Sequence, residues 1–370
     1  MTPTQRSRRV VAHSVHPQAS RHVVETNRAL ARWLAQILGL TFAGSHDPTR
    51  RPVPDDIYLL PTQTLVGLAA ARQLGVQGPE DLWGGYVEHD FICTKAITHG
   101  LLNKHAVAPE GWAPLFSKRV RLVVLDGLSV FSLDDARPAA THLLYTGPIR
   151  MKPIHACAGR GQQVIDSLER FDELLAQPEV ARHFNEGVVL EQDLQQVATH
   201  SVGQSLIAGH LISYCGEQYL TEDAAGEKVY GGSELLVVQG GYRELLALPL
   251  PPAVRLAVQQ AEVFDAAADE AYPRFFASRR NYDIAQGLDA EGRQRSGVLE
   301  QSWRMGGASS AELAALQAFV EQPDLPAIRV SAVETYIDRP LPAGAIEVYR
   351  GPAENSDFLL KYATVKSYDG

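Results

Sequence analysis

Glu300-Gln301-Ser302-Trp303-Arg304-Met305-Gly306-Gly307, led in by Ser296-Gly297-Val298-Leu299, sets an acid, a hydroxyl and a guanidinium at alternate positions of an extended run. Successive side chains of a strand point to opposite faces, so Glu300, Ser302 and Arg304 are expected on one face. A carboxylate beside a hard oxygen donor can hold Mg2+, and an arginine beside them can grip a phosphate or a carboxylate. Upstream, Arg280-Asn281-Tyr282-Asp283-Ile284 offers a second acid, and the intervening Asp289-Ala290-Glu291-Gly292 has the composition of a turn. The segment therefore reads as two antiparallel strands, each giving one carboxylate, Asp283 and Glu300, to a common face. Acids on exposed strand faces are common, so this reading leans on what lies upstream.

The chain of 370 residues is long enough for two or three units with cores of their own. A hydrophobic fraction of 45% and a charged fraction of 21% are ordinary for a globular protein. The formal net charge of −9 argues against a general nucleic-acid binder, whose footprint would be basic. No apolar run approaches a membrane span, so no membrane partner is expected. Met1 to Arg9 is basic but lacks the apolar core of a signal peptide. Cys93, Cys157 and Cys215 are few, widely spaced and odd in number, which fits a reducing cytoplasm and neither a zinc site nor a disulfide framework. His13, His16 and His22 could share a metal, but a strand end followed by a helix start makes a polar loop the better reading.

Residues 1–94 read as a small parallel α/β unit: a strand over 10–15, a helix capped by Ser20 and running to Ile37, a buried strand over 56–60, and a helix over 65–74 capped by Thr62 and closed by Gly75. Residues 95–185 form a second unit, with a helix over 95–102, strands over 120–125 and 142–145, and a helix over 163–175. Residues 186–330 form a third. Its strands fall at 186–194, 206–214 and 235–238, a long helix runs from Pro252 to Tyr272, and a last helix follows Gly306-Gly307 with a Ser309/Glu312 capping box. Residues 331–370 read as a β extension.

Two further stretches carry chemistry. Lys152-Pro153 precedes Ala158-Gly159-Arg160-Gly161: a lysine ending a strand can reach phosphate oxygens, and a glycine loop lets backbone N–H groups close over them. The spacing is not that of a Walker A loop. Most of the 34 basic residues are arginine, so lysines at both Lys95 and Lys152 stand out. Val188-Val189-Leu190-Glu191-Gln192-Asp193-Leu194 is an apolar strand ending in groups able to read an adenine edge.

In this order the pieces resemble the ATP-grasp superfamily, over roughly residues 95–319 and more weakly before them. The most specific signature of that family is Glu-x-Asn-x-Arg-x-Gly-Gly, which residues 300–307 match apart from Ser302. The resemblance implies a mixed α/β and α+β fold, two α+β subdomains sandwiching a nucleotide behind the small α/β unit, and ATP and Mg2+ as cofactors. By the same resemblance Lys95 and Lys152 would hold the nucleotide. Gly159, Arg160 and Gly161 would belong to the flap, and Glu191, Gln192, Asp193 and Leu194 would form the adenine hinge. Asp283, Glu300 and Ser302 would ligate Mg2+, Arg304 with Lys152 would serve catalysis, and Lys228 would be a further phosphate contact.

Three departures bear on catalysis. Ser302 is shorter than the usual asparagine. Thr199-His200 stands near where an acid would hold the ribose. Asn281 stands two residues before Asp283, where an arginine is common, and Arg280 is offered as its substitute. The implied activity is an ATP-dependent ligase joining a small-molecule carboxylate to an amine, with a kinase or a non-catalytic nucleotide sensor as alternatives. A homodimer is compatible with these features.

Overall fold

The computed structural model describes residues 9–16, 19–46, 56–156, 161–223, 226–353 and 356–368. Strand β1 (Arg9–His13), helix α1 (Arg21–Ile37), β2 (Thr41–Ser45) and β3 (Ile57–Pro61) make a parallel sheet of order β2-β1-β3, the α/β unit expected from the sequence. Leu30, Ala31, Leu34 and Ala35 form the buried stripe of α1. Thr62 caps no helix; its hydroxyl accepts from the Val15 N–H at 3.2 Å. Leu65–Val66 is instead a short strand, β4, and α2 is confined to Leu68–Gln73, ended by Gly75 at φ +74. Strand β5 (Gly85–Val87) pairs with β4.

Several expectations for the next unit are corrected. Lys95–Thr98 is a single 3-10 turn, capped by the Thr94 hydroxyl, and no α-helix runs to residue 102. Residues 120–125 are not a strand, because Val120 ends α3 (Pro114–Val120) and turns follow. Residues 142–145 close helix α4 (Leu133–Leu144), which tolerates Pro138 inside it. The strands are β6 (Gly127–Val130), β7 (Ile149–Pro153) and β8 (Gln163–Ile165), and the helix expected from residue 163 starts only at α5 (Leu168–Leu175), where Ser167 caps it. Helix α6 (Pro178–Glu186) leads into β9 (Val188–Gln192), and the four strands form an antiparallel sheet of order β6-β9-β7-β8. One face, through Ile149, Met151, Val188 and Leu190, packs on α4, α5 and α6.

The large sheet has eight strands, ordered β15-β14-β10-β11-β12-β16-β18-β17. The stretch taken as one strand over 206–214 is the middle of a hairpin, β10 (Gln195–Ile207) and β11 (His210–Glu222). Its two-residue turn, Ala208-Gly209, has both φ angles positive. Then come β12 (Lys228–Gln239), α7 (Tyr242–Leu246), α8 (Pro252–Ala271), β13 (Phe276–Ala277), β14 (Arg279–Leu288), β15 (Gln294–Ser302) and α9 (Ser309–Glu321). Strand β13 pairs antiparallel with β5. The sheet is completed by β16 (Ala327–Thr335), β17 (Ile346–Ala353) and β18 (Ser356–Lys366), with β18 between β16 and β17.

One face of this sheet packs on Ala257, Ala261, Phe264 and Ala268 of α8. The other packs on Leu313, Leu316 and Phe319 of α9, and through them on α1. At the β14–β15 end of this second face Asp283 and Glu300 are partly exposed. Among the described residues no helix is long and apolar enough to cross a membrane.

Candidate functional site

Strands β14 and β15 are antiparallel, and Asp283 and Glu300 are direct cross-strand partners, as are Asn281 and Ser302. Paired residues share a face with Cβ atoms about 5 Å apart, so these four side chains form a block on the uncovered end of the sheet. A bulge lies between Asp283 and Ile284, just beyond the block. Asp283 Oδ1 accepts from Gln218 Nε2 at 2.7 Å and Asn281 Nδ2 at 3.1 Å. Burial, and then the neighbouring Glu300 charge, push the Asp283 carboxyl up to about 7. The two carboxylates repel each other, and an internal cation beside them, Lys95, touches Glu300. With the Ser302 hydroxyl, which has no hydrogen-bond partner among the described residues, they form a donor set suited to Mg2+ completed by phosphate and water oxygens.

A stability prediction follows from the raised value. The unfolded carboxyl titrates near its ordinary 3.8 and the folded one at about 7. The folded state therefore holds the proton more tightly, and stability present below pH 4 is lost as pH rises through 7. Asp283→Asn should match the wild type in urea unfolding at pH 4. At pH 8 without divalent cations it should exceed the wild type by about 2 kcal/mol, a figure reduced for partial exposure. Equal stabilities at pH 8 would show that Asp283 meets no such penalty.

The 3-10 turn after Thr94 brings Lys95 to this block. The buried Lys95 Nζ lies 3.0 Å from Glu300 Oε2 and donates to the Ala156 carbonyl at 2.7 Å. The same segment is pinned to β15, since Thr98 Oγ1 donates to the Leu299 carbonyl and Gln301 Nε2 to the carbonyls of Ile92 and Thr94.

Across from it, the polar face of the small sheet carries Lys152 on β7 and Glu191 on β9, diagonal neighbours in a register that pairs Lys152 with Val189 and Glu191 with Arg150. Lys152 Nζ pairs with Glu191 Oε1, and His99 Nε2 lies 3.1 Å from Glu191 Oε2. Burial by itself would raise the Glu191 carboxyl, but the Lys152 charge and the His99 hydrogen bond prevail and hold it at about 2. The lysine–glutamate–histidine cluster was not read from the sequence, because its members come from three separate elements.

At the hinge, the Gln192 N–H donates to the Asp126 carbonyl at 2.8 Å and the Asp193 N–H to Pro148 at 3.0 Å. The Asp193 carboxylate pairs with Arg150 at 2.6 Å. The Leu194 N–H has no hydrogen bond among the described residues, and its side chain packs with Leu125, Ala285 and Leu299. Of the three N–H groups of residues 192–194, only that of Leu194 has no partner among the described residues.

The strand ends at Ser302, so Arg304 leaves the alternation; its Nη1 donates to the Met305 carbonyl at 2.8 Å. Behind it, Arg279 is fully buried. It pairs with Glu312 of α9 at 2.6 Å and donates to the carbonyls of Ser302 and Arg304, anchoring the turn that presents Arg304. Glu312 therefore makes no capping box, and Ser309 Oγ instead accepts from the Gly306 N–H at 3.0 Å. Arg280 cannot stand in for an arginine beside Asp283, because it points to the opposite face and pairs with Asp265 and Asp269.

Lys228 opens β12 and is exposed; Tyr230, two residues on and on the same face, packs on Gly307, where a Cβ would lie 2.2 Å from its ring. Gly159 and Arg160, with Ala158, lie outside the described residues, and Gly161 takes φ +68. His13 contacts His46 edge-on, and no cluster of three or more His, Cys, Asp or Glu side chains fit for a metal occurs among the described residues.

Solved structures share this architecture. Pyruvate carboxylase from Rhizobium etli aligns with a TM-score of 0.51 at 12% identity, over 96% of this chain and 36% of that one. D-alanine–D-alanine ligase from Bacillus anthracis aligns with a TM-score of 0.50 at 12% identity, over 85% of this chain and 95% of that one. The chain has the ATP-grasp fold. A family model described as protein of unknown function (DUF3182) matches residues 10–363, and the chain belongs to that family. No curated protein matches it.

Proposed function

We propose that this chain is an ATP- and Mg2+-dependent ligase that joins a small-molecule carboxylate to an amine through an acyl-phosphate. The observation that carries the reading is the cross-strand pair of Asp283 and Glu300, with Lys95 held against Glu300 and Lys152 on the facing sheet. Asp283, Glu300 and Ser302 would hold Mg2+, which supplies charge neutralisation at the phosphates. Lys95 and Lys152 exchange their internal carboxylate partners for phosphate oxygens. Leu194 would offer its N–H to the base, and Arg304, held from behind by Arg279, would steady the transferring phosphoryl group. Catalysis of this kind is mainly positioning and electrostatic stabilisation. A cytoplasmic location belongs to the same proposal, as do the unit boundaries at residues 94/95, 185/186 and 330/331.

The second reading is a nucleotide-binding protein without turnover. It is favoured by Ser302 in the ligand set and by the hinge N–H groups of Gln192 and Asp193, which are satisfied within the chain.

ATP titrated with and without Mg2+ against the wild type and Glu300→Gln separates these readings, followed by ADP release across panels of acids and amines. The ligase requires Mg2+-dependent binding that weakens in Glu300→Gln, and ADP formed in step with amine consumed. ADP without amine consumption indicates a kinase, and binding without ADP indicates the sensor. Absence of ATP binding to the wild type would sink the whole assignment.

A further inference from the structure

We infer that Asn281 is a positioning residue that fixes the Asp283 carboxylate so that one of its oxygens stays open to a divalent cation; the inference rests on the metal reading of Asp283 and Glu300 proposed above. The arrangement is built across three strands. Gly203 on β10 is the cross-strand partner of both Tyr214 on β11 and Asn281 on β14. A Cβ at Gly203 would lie 2.4 Å from the Tyr214 hydroxyl, so the glycine leaves the gap through which the tyrosine reaches over β10. Tyr214 donates to Asn281 Oδ1 at 2.9 Å, and Ser201 Oγ donates to the same oxygen at 2.8 Å.

With its oxygen held by two hydroxyls, the asparagine must turn its NH2 toward Asp283, where Nδ2 donates to Oδ1. The reverse orientation would set a carbonyl oxygen against a carboxylate. Gln218 Nε2 donates to that same Oδ1. Both carboxamides thus hold one oxygen, while Asp283 Oδ2 has no hydrogen bond among the described residues.

The Tyr214 hydroxyl is secured in turn. Burial, and next the Glu312 charge, push it far above the usual phenol range, so it remains a donor. Glu312 Oε1 already accepts twice from Arg279, which leaves the single tyrosine proton for Asn281 at the shorter distance. Static contacts thus run from Arg279 through Glu312, Tyr214 and Asn281 to the Asp283 carboxylate.

Partners that orient a metal ligand typically contribute about 10–100-fold to metal affinity. The test is Mn2+ binding to the full chain in the presence of ADP, followed by electron paramagnetic resonance, for wild type, Asn281→Ala and Tyr214→Phe. Alongside it, ADP binding is measured without metal. Asn281→Ala should weaken Mn2+ by about 10-fold or more and change its spectrum, with metal-free ADP binding unmoved. Tyr214→Phe should show a smaller loss in the same direction.

Mn2+ affinity and spectrum equal to wild type in Asn281→Ala would overturn the inference while leaving the metal site standing. Should Asn281→Ala fail to fold, Tyr214→Phe decides alone, and wild-type Mn2+ binding there overturns it. If the wild type binds no Mn2+ with ADP, the metal reading falls and this inference falls with it.

Discussion

Glu312→Leu should lower the free energy of unfolding by about 3–5 kcal/mol, because it strands the Arg279 guanidinium, 1% exposed, without a counter-charge. The carboxylate also accepts from the Ser205 hydroxyl, so the substitution leaves that donor short as well. Its partner change, Arg279→Met, should cost a similar amount and also free the carbonyls of Ser302 and Arg304 that the guanidinium holds. The double variant should recover part of the loss, since an apolar pair of similar volume removes both stranded charges. Urea unfolding of the two single variants and the double variant completes the cycle. A single-variant loss below about 1 kcal/mol would mean that water reaches the guanidinium.

The second large effect falls on Lys152. Lys152→Ala removes the cation that holds Glu191, a carboxylate 3% exposed, and should destabilise the protein by about 3–5 kcal/mol as well as abolish tight nucleotide binding. Adding Glu191→Gln should restore much of the stability and none of the affinity, which separates the structural from the proposed binding role of the lysine.

The pH dependence of the wild type reports the same pair. Glu191 is depressed from 4.5 to about 2, so its stabilisation is complete above pH 4.5 and lost as pH falls through 2. The stability gap between wild type and Glu191→Gln, of order 3 kcal/mol at neutral pH, should close over that window. A gap that persists unchanged at pH 2 would assign it to packing instead.

The β14–β15 hairpin was legible in the sequence because three local signals agreed: alternation, a turn-forming Asp289–Gly292 and the spacing of the two acids. Long helix α8 was legible from its opening prolines and apolar spacing. Other elements were not. The Ala208-Gly209 turn lacks the asparagine or aspartate that usually marks two positive φ angles, so β10 and β11 read as one strand. Pro138 argues against a helix, yet α4 runs through it, and the apolar run over 120–125 lies in turns along β15 where Gly297 leaves room.

The site divided along the same line. Asp283 and Glu300, singled out with their neighbours in sequence, do meet across β14 and β15, whereas the contacts of Glu312, Tyr214, Gln218 and His99 are not legible there. Their partners lie on other strands, and no local spacing encodes them. Glu312 is the clearest case: three residues after Ser309 it has the form of a helix cap, and only the fold brings Arg279 beneath it.

The two lysines at the site have a consequence for how a polyanion would meet it. Lys95 and Lys152 each already touch a carboxylate, and Asp283 adds a further acid nearby. Both lysines are therefore largely neutralised by their own partners, and on the proposed function a bare triphosphate would gain little from them at a distance. A divalent cation held by Asp283 and Glu300 would compete with Lys95 for the Glu300 carboxylate and free that lysine for phosphate oxygens. On the proposed function, metal and nucleotide binding would therefore be coupled, and the rate of capture should depend only weakly on ionic strength.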